Sequence, residues 1–450
     1  MYLAYSLLLS LGLLLFSPYF LFQALAHRKY IDGLRERLGF VPPFDKARAR
    51  GPVIWLHCVS VGETQAARPL VERLRRELPH HALVVSTVTL TGQKLARDLF
   101  RTQAENVFYF PFDWRWTARR VLRAINPAVV LVMETELWPN FLRECRAREI
   151  PVALVNGRIS RKSFARYRRI RFFLRRVLEG VTLAVMQSEK DAERIQALGM
   201  PAQRTATSGN LKFDSRIYTD KSTDLTARFG LKSGVPLVLA ASTHAPEEKI
   251  VLESFKKLRE SQSVRLMIAP RKPERFAEVA ALIEASGLSW ARRTNAPKPS
   301  DAEAEVILLD TIGELPSIYS LATVVFVGGS IVDRGGHNLL EPAAHGVAVV
   351  TGAHTHNFHA IVDLLNQANA IVQLPPVEDA IAVAKLTEIF QRLLADAEWR
   401  NGLGTRAKQI IDANQGAAER TMKLIAPLFS TTPSGSSTSN SFLPANAHTS

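Results

Sequence analysis

Residues 52–64 read Pro52-Val53-Ile54-Trp55-Leu56-His57-Cys58-Val59-Ser60-Val61-Gly62-Glu63-Thr64, and the order of these side chains decides the fold class. Val53 to Cys58 is an apolar run of strand length. A short turn containing Ser60 and Gly62 then leads into a helical pattern from about Ala66 to Leu78. The same alternation of strand and helix follows through Ala82 to Val88, Ala128 to Met133, Val152 to Val155 and Val181 to Gln187. Strands separated by helical segments predict a parallel sheet with crossover helices. A polar, poorly patterned passage follows from about Asp214 to Gly234. The alternation then restarts with Pro236 to Ala241, Val264 to Ala269, Val306 to Asp310, Thr323 to Val327 and Val347 to Thr351. An α/β protein of two facing, doubly wound, Rossmann-like domains is expected, over 28–213 and 235–429 with a linker at 214–234. In such sheets ligands bind beyond the carboxyl ends of the strands, so the residues just after each run carry the most weight.

The two ends of the chain differ from this pattern. Residues 2–26 contain no Asp, Glu, Lys or Arg and are dominated by Leu, Phe, Ala and Tyr. About 20 helical residues match a hydrocarbon core of ~30 Å, so residues 1–27 are expected to form a membrane anchor. Ala24-Leu25-Ala26 resembles a signal cleavage site, but no basic region precedes the apolar stretch. Arg28, Lys29, Arg35 and Arg37 follow it, which by the positive-inside rule places the body of the chain on the cytoplasmic side. Residues 430–450 are rich in Ser, Thr and Asn without a charged side chain, as in a disordered tail. Cys58 and Cys145 are the only cysteines of the 450 residues, which excludes a disulfide scaffold.

The chain carries 57 Lys and Arg against 42 Asp and Glu, a net +15 that suits anionic partners. Much of the excess is local. No acid occurs between Glu149 and Glu179, where Arg158, Arg161, Lys162, Arg166, Arg168, Arg169, Arg171, Arg175 and Arg176 alternate with Phe164, Tyr167, Ile170, Leu174 and Val177 at helical spacing. A basic amphipathic helix near 161–177 is expected to lie on an anionic bilayer or to grip phosphates, the alternative being an ordinary helix that buries its apolar stripe. No helix-turn-helix, zinc-finger or RNA-recognition pattern accompanies these cations, and no nucleic-acid partner is expected.

Several residues fall at the predicted ligand edge. Glu63 sits where the first strand turns into a helix, placed to act as a general base or to complement the helix N-terminus. Met133-Glu134-Thr135-Glu136-Leu137-Trp138-Pro139-Asn140 ends another strand, and in extended geometry Glu134 and Glu136 would share a face. In the second domain, Pro270-Arg271-Lys272 follows a strand and brings cations that suit a phosphate. Val327-Gly328-Gly329-Ser330 and Gly335-Gly336-His337-Asn338-Leu339-Leu340-Glu341 place glycines before a helix, as if to expose backbone N–H groups to phosphate, with Glu341 available to ribose hydroxyls. Neither the dinucleotide fingerprint nor a Walker A sequence is present. His354, His356 and His359 invite a metal, but no Cys or carboxylate lies among them, and no metal or cofactor is expected.

Five ordered motifs resemble the 3-deoxy-D-manno-octulosonic acid (Kdo) transferases of lipopolysaccharide synthesis. They are Ser60-Val61-Gly62-Glu63, Met133 to Asn140, Gly209-Asn210-Leu211-Lys212-Phe213-Asp214, Ser242-Thr243-His244, and Gly328-Gly329-Ser330 with Gly335-Gly336-His337-Asn338. The resemblance implies an inverting glycosyltransferase of the GT-B type, held at the inner membrane, that moves Kdo from CMP-Kdo to the lipid A precursor lipid IVA. It implies Glu63 as the base, Glu134 and Lys212 as transition-state stabilisers, and Pro270, Arg271, Ile312, Gly313, Glu314, Asn338, Leu339, Leu340 and Glu341 as the CMP-binding segments. Where the family commonly has Asn-Pro-Leu-Glu, this chain has Asn338-Leu339-Leu340-Glu341, without the proline that would preorganise the turn. A GT-B transferase using a UDP-sugar, or a membrane-tethered protein that binds anionic lipid through a degenerate cleft, are the competing readings.

Overall fold

The computed structural model describes residues 1–27, 33–43, 51–214, 222–231 and 234–430. The chain forms two compact units, Met1–Ser215 with Gln415–Ser450, and Arg216–Asn414. The first is built on β1 (Val53–His57), β2 (Ala82–Thr87), β3 (Asn106–Tyr109), β4 (Pro127–Met133), β5 (Val152–Gly157), β6 (Leu183–Met186) and β7 (Thr205–Thr207). These strands pair in the order β3-β2-β1-β4-β5-β6-β7, all parallel. The second unit repeats the plan with β8 (Leu237–Thr243), β9 (Arg265–Pro270), β10 (Trp290–Arg292), β11 (Val306–Leu308), β12 (Val324–Val327), β13 (Ala348–Thr351) and β14 (Val372–Gln373). Its parallel order is β10-β11-β9-β8-β12-β13-β14.

The strand sequences explain this architecture. Every residue of β1 and β2 is buried, as required of strands covered by helices on both faces. Successive side chains feed opposite layers: Val53 and Trp55 join one apolar cluster, Ile54 and Leu56 the other. Trp55 places its one polar atom on the Ser86 hydroxyl, 2.8 Å away, so its burial leaves no unpaired donor. In each unit the winding reverses beside the first strand, between β1 and β4 and between β8 and β12. That reversal opens a crevice at the carboxyl ends of those strands.

Nine helices bear on function: α1 (Tyr2–His27), α2 (Val61–Glu77), α3 (Pro139–Arg146), α4 (Arg161–Arg169), α5 (Arg171–Leu178), α6 (Ser222–Arg228), α7 (Glu247–Arg259), α8 (Leu340–Ala344) and α9 (Ala417–Ile425). Among the described residues, no helix is long and apolar enough to cross a membrane. The first turns of α1 are tied to the folded body. The Tyr2 hydroxyl donates to the Arg176 carbonyl at 3.2 Å, Asn140 Nδ2 donates to Ser6 Oγ at 2.9 Å, and Trp114 Nε1 donates to Ser10 Oγ at 3.0 Å. The rings of Tyr2 and Tyr5 also lie against Phe173. Leu3, Leu7, Leu8, Leu11, Leu14 and Leu15 remain exposed along the same helix.

Three boundaries differ from expectation. The basic helix breaks at Ile170, giving α4 and α5. Leu174 and Val177 are buried in the core, whereas α4 has no buried residue and Ile170 and Phe172 are exposed. Part of the expected linker is structured in the second unit: Leu225 and Phe229 are buried, and Arg228 pairs with Asp301 at 2.8 Å. The second unit also ends before 429, because the chain re-enters the first unit at Gln415. There the Asp214 carboxylate accepts from the N–H groups of Gly416 and Ala418, at 2.7 and 2.6 Å, fixing the start of α9. The expected tail lies, from residue 431 onward, outside the described residues, as do 28–32 and 215–221.

Candidate active site

Glu63 occupies the first turn of α2, at the carboxyl end of β1 and thus at the switch point of the first sheet. Extended backbone at Ser60 lets the chain leave the strand and enter the helix, and Glu63 reaches back over that turn. One carboxylate oxygen accepts from the Val59 N–H at 2.8 Å and the other from the Ser60 hydroxyl at 3.1 Å. The carboxylate is thus oriented by the turn that starts the helix. It is 6% exposed, and burial, with the Glu134 carboxylate second, pushes its pKa up to about 8.

Glu134 follows β4, the strand beside β1. Its φ of 54° is left-handed, which overturns the extended geometry expected for Glu134 and Glu136. Backbone of this kind costs free energy, and such positions cluster at functional sites. The Arg158 Nε–H donates to Glu134 at 2.8 Å, while the Thr135 hydroxyl and the Arg158 backbone bond each other at 2.7 and 3.0 Å. Glu136 is itself raised in pKa, by burial first and Glu134 second.

Lys212 arrives from a short turn, Leu211–Asp214, beyond β7. Asn156, at the end of β5 with φ 57°, accepts the Leu211 N–H at 2.9 Å and holds that turn at the same sheet edge. Burial lowers the Lys212 pKa, and Glu134 and Glu63 act in the opposite sense. Glu63, Glu134 and Lys212, far apart in sequence, thus share one electrostatic neighbourhood with Arg158. Arg158 was legible only as part of a basic stretch, although its position directly after β5 marks it by the strand-end rule.

In the second unit Arg271 follows β9 and donates its backbone N–H to the Thr243 carbonyl at 3.0 Å. Burial raises the Glu341 pKa and lowers that of His337, and the Arg271 charge acts on both, opposing the first shift and adding to the second, so the structure brings Pro270-Arg271 to the His337–Glu341 segment. Asn338 closes the segment in place of the missing proline. Its Oδ1 accepts from the Leu340 N–H and its Nδ2 donates to Glu341, both at 3.0 Å. Leu339, where the proline would stand, has φ −87° and is fully buried, so packing holds the turn that a ring would have preorganised. His337 and His244 meet Nε2 to Nε2 at 2.9 Å. Burial lowers the pKa of both, His337 to about 4, so one neutral imidazole donates to the other.

Ile312, Gly313 and Glu314 form a turn beyond β11, two strands from β8. Ile312 is exposed and Gly313 has φ 90°, but the Glu314 carboxylate is engaged by Arg293, at 2.9 to 3.3 Å, and by the Thr311 hydroxyl. The glycine-rich stretch after β12 also differs from the expected phosphate cradle. Its Gly329, Ser330 and Ile331 N–H groups all donate to the Glu247 carboxylate, at 2.7, 2.9 and 2.9 Å. His354 and His356 lie 3.7 and 3.5 Å from Asp333 at the surface, and among the described residues no group of three or more His, Cys, Asp or Glu is placed to hold a metal ion.

Two all-parallel α/β units with charged, partly strained residues at their switch points define a fold of the GT-B type. The UDP-GlcNAc 2-epimerase from Neisseria meningitidis, solved bound to UDP-GlcNAc, has a similar fold, with a TM-score of 0.54 and 13% identity over 83% of this chain and all of that one. The family described as 3-deoxy-D-manno-octulosonic-acid transferase (kdotransferase) matches residues 32–215. The 3-deoxy-D-manno-octulosonic acid transferase of Haemophilus influenzae is 34% identical over 89% of this chain and 92% of its own length. That of Bordetella pertussis is 33% identical over 84% and 89%. The chain belongs to the Kdo transferase family and is a glycosyltransferase of lipopolysaccharide biosynthesis.

Proposed function

We propose that this protein transfers Kdo from CMP-Kdo to the lipid A precursor lipid IVA with inversion at the anomeric carbon. The observation that carries this reading is Glu63: a buried, doubly hydrogen-bonded carboxylate at a switch point, with a pKa near neutrality. An acceptor hydroxyl oxygen attacks the anomeric carbon, its proton passes to Glu63, and the bond to the phosphate of CMP breaks with the electron pair leaving on CMP. A base works best with a pKa near the working pH, which the burial of Glu63 supplies. Lys212 offsets negative charge that grows on the leaving phosphate or lies on the Kdo carboxylate, and Arg158 holds Glu134 in place. Pro270, Arg271, Ile312, Gly313, Glu314 and Asn338 to Glu341 take the CMP moiety. The scheme assigns charge neutralisation to these side chains and uses no metal.

The enzyme works at the cytoplasmic face of the inner membrane. The exposed leucines of α1 enter the bilayer, and Arg161, Lys162, Arg166, Arg168 and Arg169 of α4 face its anionic lipids. The bonds of Tyr2, Ser6 and Ser10 to the body support a position of the first turns of α1 in the interface beside the domain, as an alternative to the crossing helix expected from residues 2–26.

Incubating the purified protein with CMP-Kdo and lipid IVA should yield a Kdo-bearing lipid by mass spectrometry, with EDTA without effect. Glu63→Gln should abolish it while the fold persists. Full turnover in that variant removes Glu63 as base, and tighter calorimetric binding of UDP than of CMP replaces the donor.

A further inference from the structure

The second sheet reverses between β8 and β12, and one buried carboxylate spans that reversal. Glu247 begins α7, just after β8, and is 0% exposed. Its two oxygens accept four backbone N–H groups. Oε2 takes those of His244 and Gly329, at 3.0 and 2.7 Å, and Oε1 takes those of Ser330 and Ile331, both at 2.9 Å. Its own N–H donates to the His244 carbonyl at 2.6 Å. The chain that leaves β12 is thereby fixed to the chain that leaves β8.

The consequences reach the nucleotide segment. The Gly329 carbonyl accepts from the Gly336 N–H at 2.7 Å, which sets the residue before His337. His337 packs so closely over Gly329 that a Cβ there would lie 2.9 Å from its Nε2, and the same nitrogen meets His244. The ring of contacts runs from His244 to Glu247, Gly329, Gly336, His337 and back. Gly328 is required in it, because a Cβ would stand 2.7 Å from the Glu247 carboxylate. The anion served by this glycine loop is therefore the protein's own.

We propose that Glu247 is a positioning residue of the donor site, holding His337 and the following Asn338–Glu341 segment in the arrangement that accepts the nucleotide. This inference rests on the reading of the second unit as the CMP-Kdo site. In Glu247→Gln the amide nitrogen replaces one oxygen and faces two N–H donors, so half of the clamp is lost without a change in side-chain size. The full chain should then bind CMP at least tenfold more weakly by calorimetry. The KM for CMP-Kdo should rise similarly, with the KM for lipid acceptor and the kcat at saturating donor within twofold of the parent. Glu247→Asp, which keeps both oxygens on a shorter arm, should fall between. A folded Glu247→Gln with unaltered CMP affinity overturns the proposal, as does an equal rise in both KM values. If Glu247→Gln fails to fold, Glu247→Asp decides: undiminished CMP affinity, with faster amide exchange at Gly329–Ile331, is equally fatal. An unsubstituted protein that does not bind CMP overturns the donor reading, and this inference with it.

Discussion

Replacing Glu63 by Gln should inactivate the enzyme and make it more stable, by an amount that depends on pH. The unfolded carboxyl titrates near 4.5, whereas the buried one has a pKa of about 8. Below pH 4.5 both states carry the proton, and the stabilisation of the neutral acid is complete. Between 4.5 and 8 the folded state keeps a proton that the unfolded chain has released, so stability falls as pH rises; above 8 the loss is complete. A difference of about 3.5 units at 1.36 kcal/mol each makes this loss about 5 kcal/mol. Gln has nearly the same shape and never ionises. Its oxygen can accept from the Val59 N–H and its amide can donate to Ser60 Oγ, so both local hydrogen bonds survive. Asp113, another buried carboxyl pushed up to about 7, affects both proteins equally and cancels in the comparison.

Melting curves of the two proteins at half-unit steps from pH 5 to 9 test this directly. Near pH 5 they should melt within about 2 °C of each other, and above pH 8 the variant should melt higher by about 10 °C, at ~2 °C per kcal/mol for a unit of this size. A gap that is constant across the range refutes the reasoning, because it would mean that Glu63 meets the same surroundings folded and unfolded.

Two further outcomes follow from the same geometry. The kcat/KM for lipid acceptor should rise with pH through an apparent pKa near 8, and Glu134→Gln should move that limb to lower pH by removing the neighbouring negative charge, though not as far as 4.5, since burial remains the larger cause; an unmoved limb in a pH–rate series uncouples the two carboxylates. Leu7→Asp combined with Leu11→Asp should weaken binding to phosphatidylglycerol vesicles by about a hundredfold in sedimentation assays, from the loss of ~3 kcal/mol of apolar burial, and undiminished binding would place the contact away from α1.

The strands that the sequence leaves unmarked have a common physical reason. β3, β7, β10 and β14 are the four edges of the two sheets. An edge strand has a neighbour on one side only and is two to four residues long here, so no continuous apolar run is needed to sustain it. The ten inner strands are buried on both faces and advertise themselves as Val-, Ile- and Leu-rich runs. The carboxyl ends of inner strands are equally legible, which is why the positions of Glu63, Glu134 and Arg271 just beyond β1, β4 and β9 can be read from the sequence. What the pattern does not show is backbone handedness, as at Glu134, or the partner that a charge will meet.

The glycine loop after β12 illustrates this limit. Its sequence offers small residues and donors, and glycine-rich turns of that kind serve phosphates when their N–H groups stay free. Here a carboxylate 82 residues earlier in the chain takes three consecutive N–H groups. As a glutamate in a first helical turn, Glu247 looks like an ordinary dipole partner. Only the reversal of strand order beside β8 brings the two together. A ligand held by free loop amides would lose affinity gradually as single contacts are removed. A segment held by one internal anion should instead respond as a block, with donor binding falling and acceptor binding intact, because all four N–H groups depend on the same two oxygens.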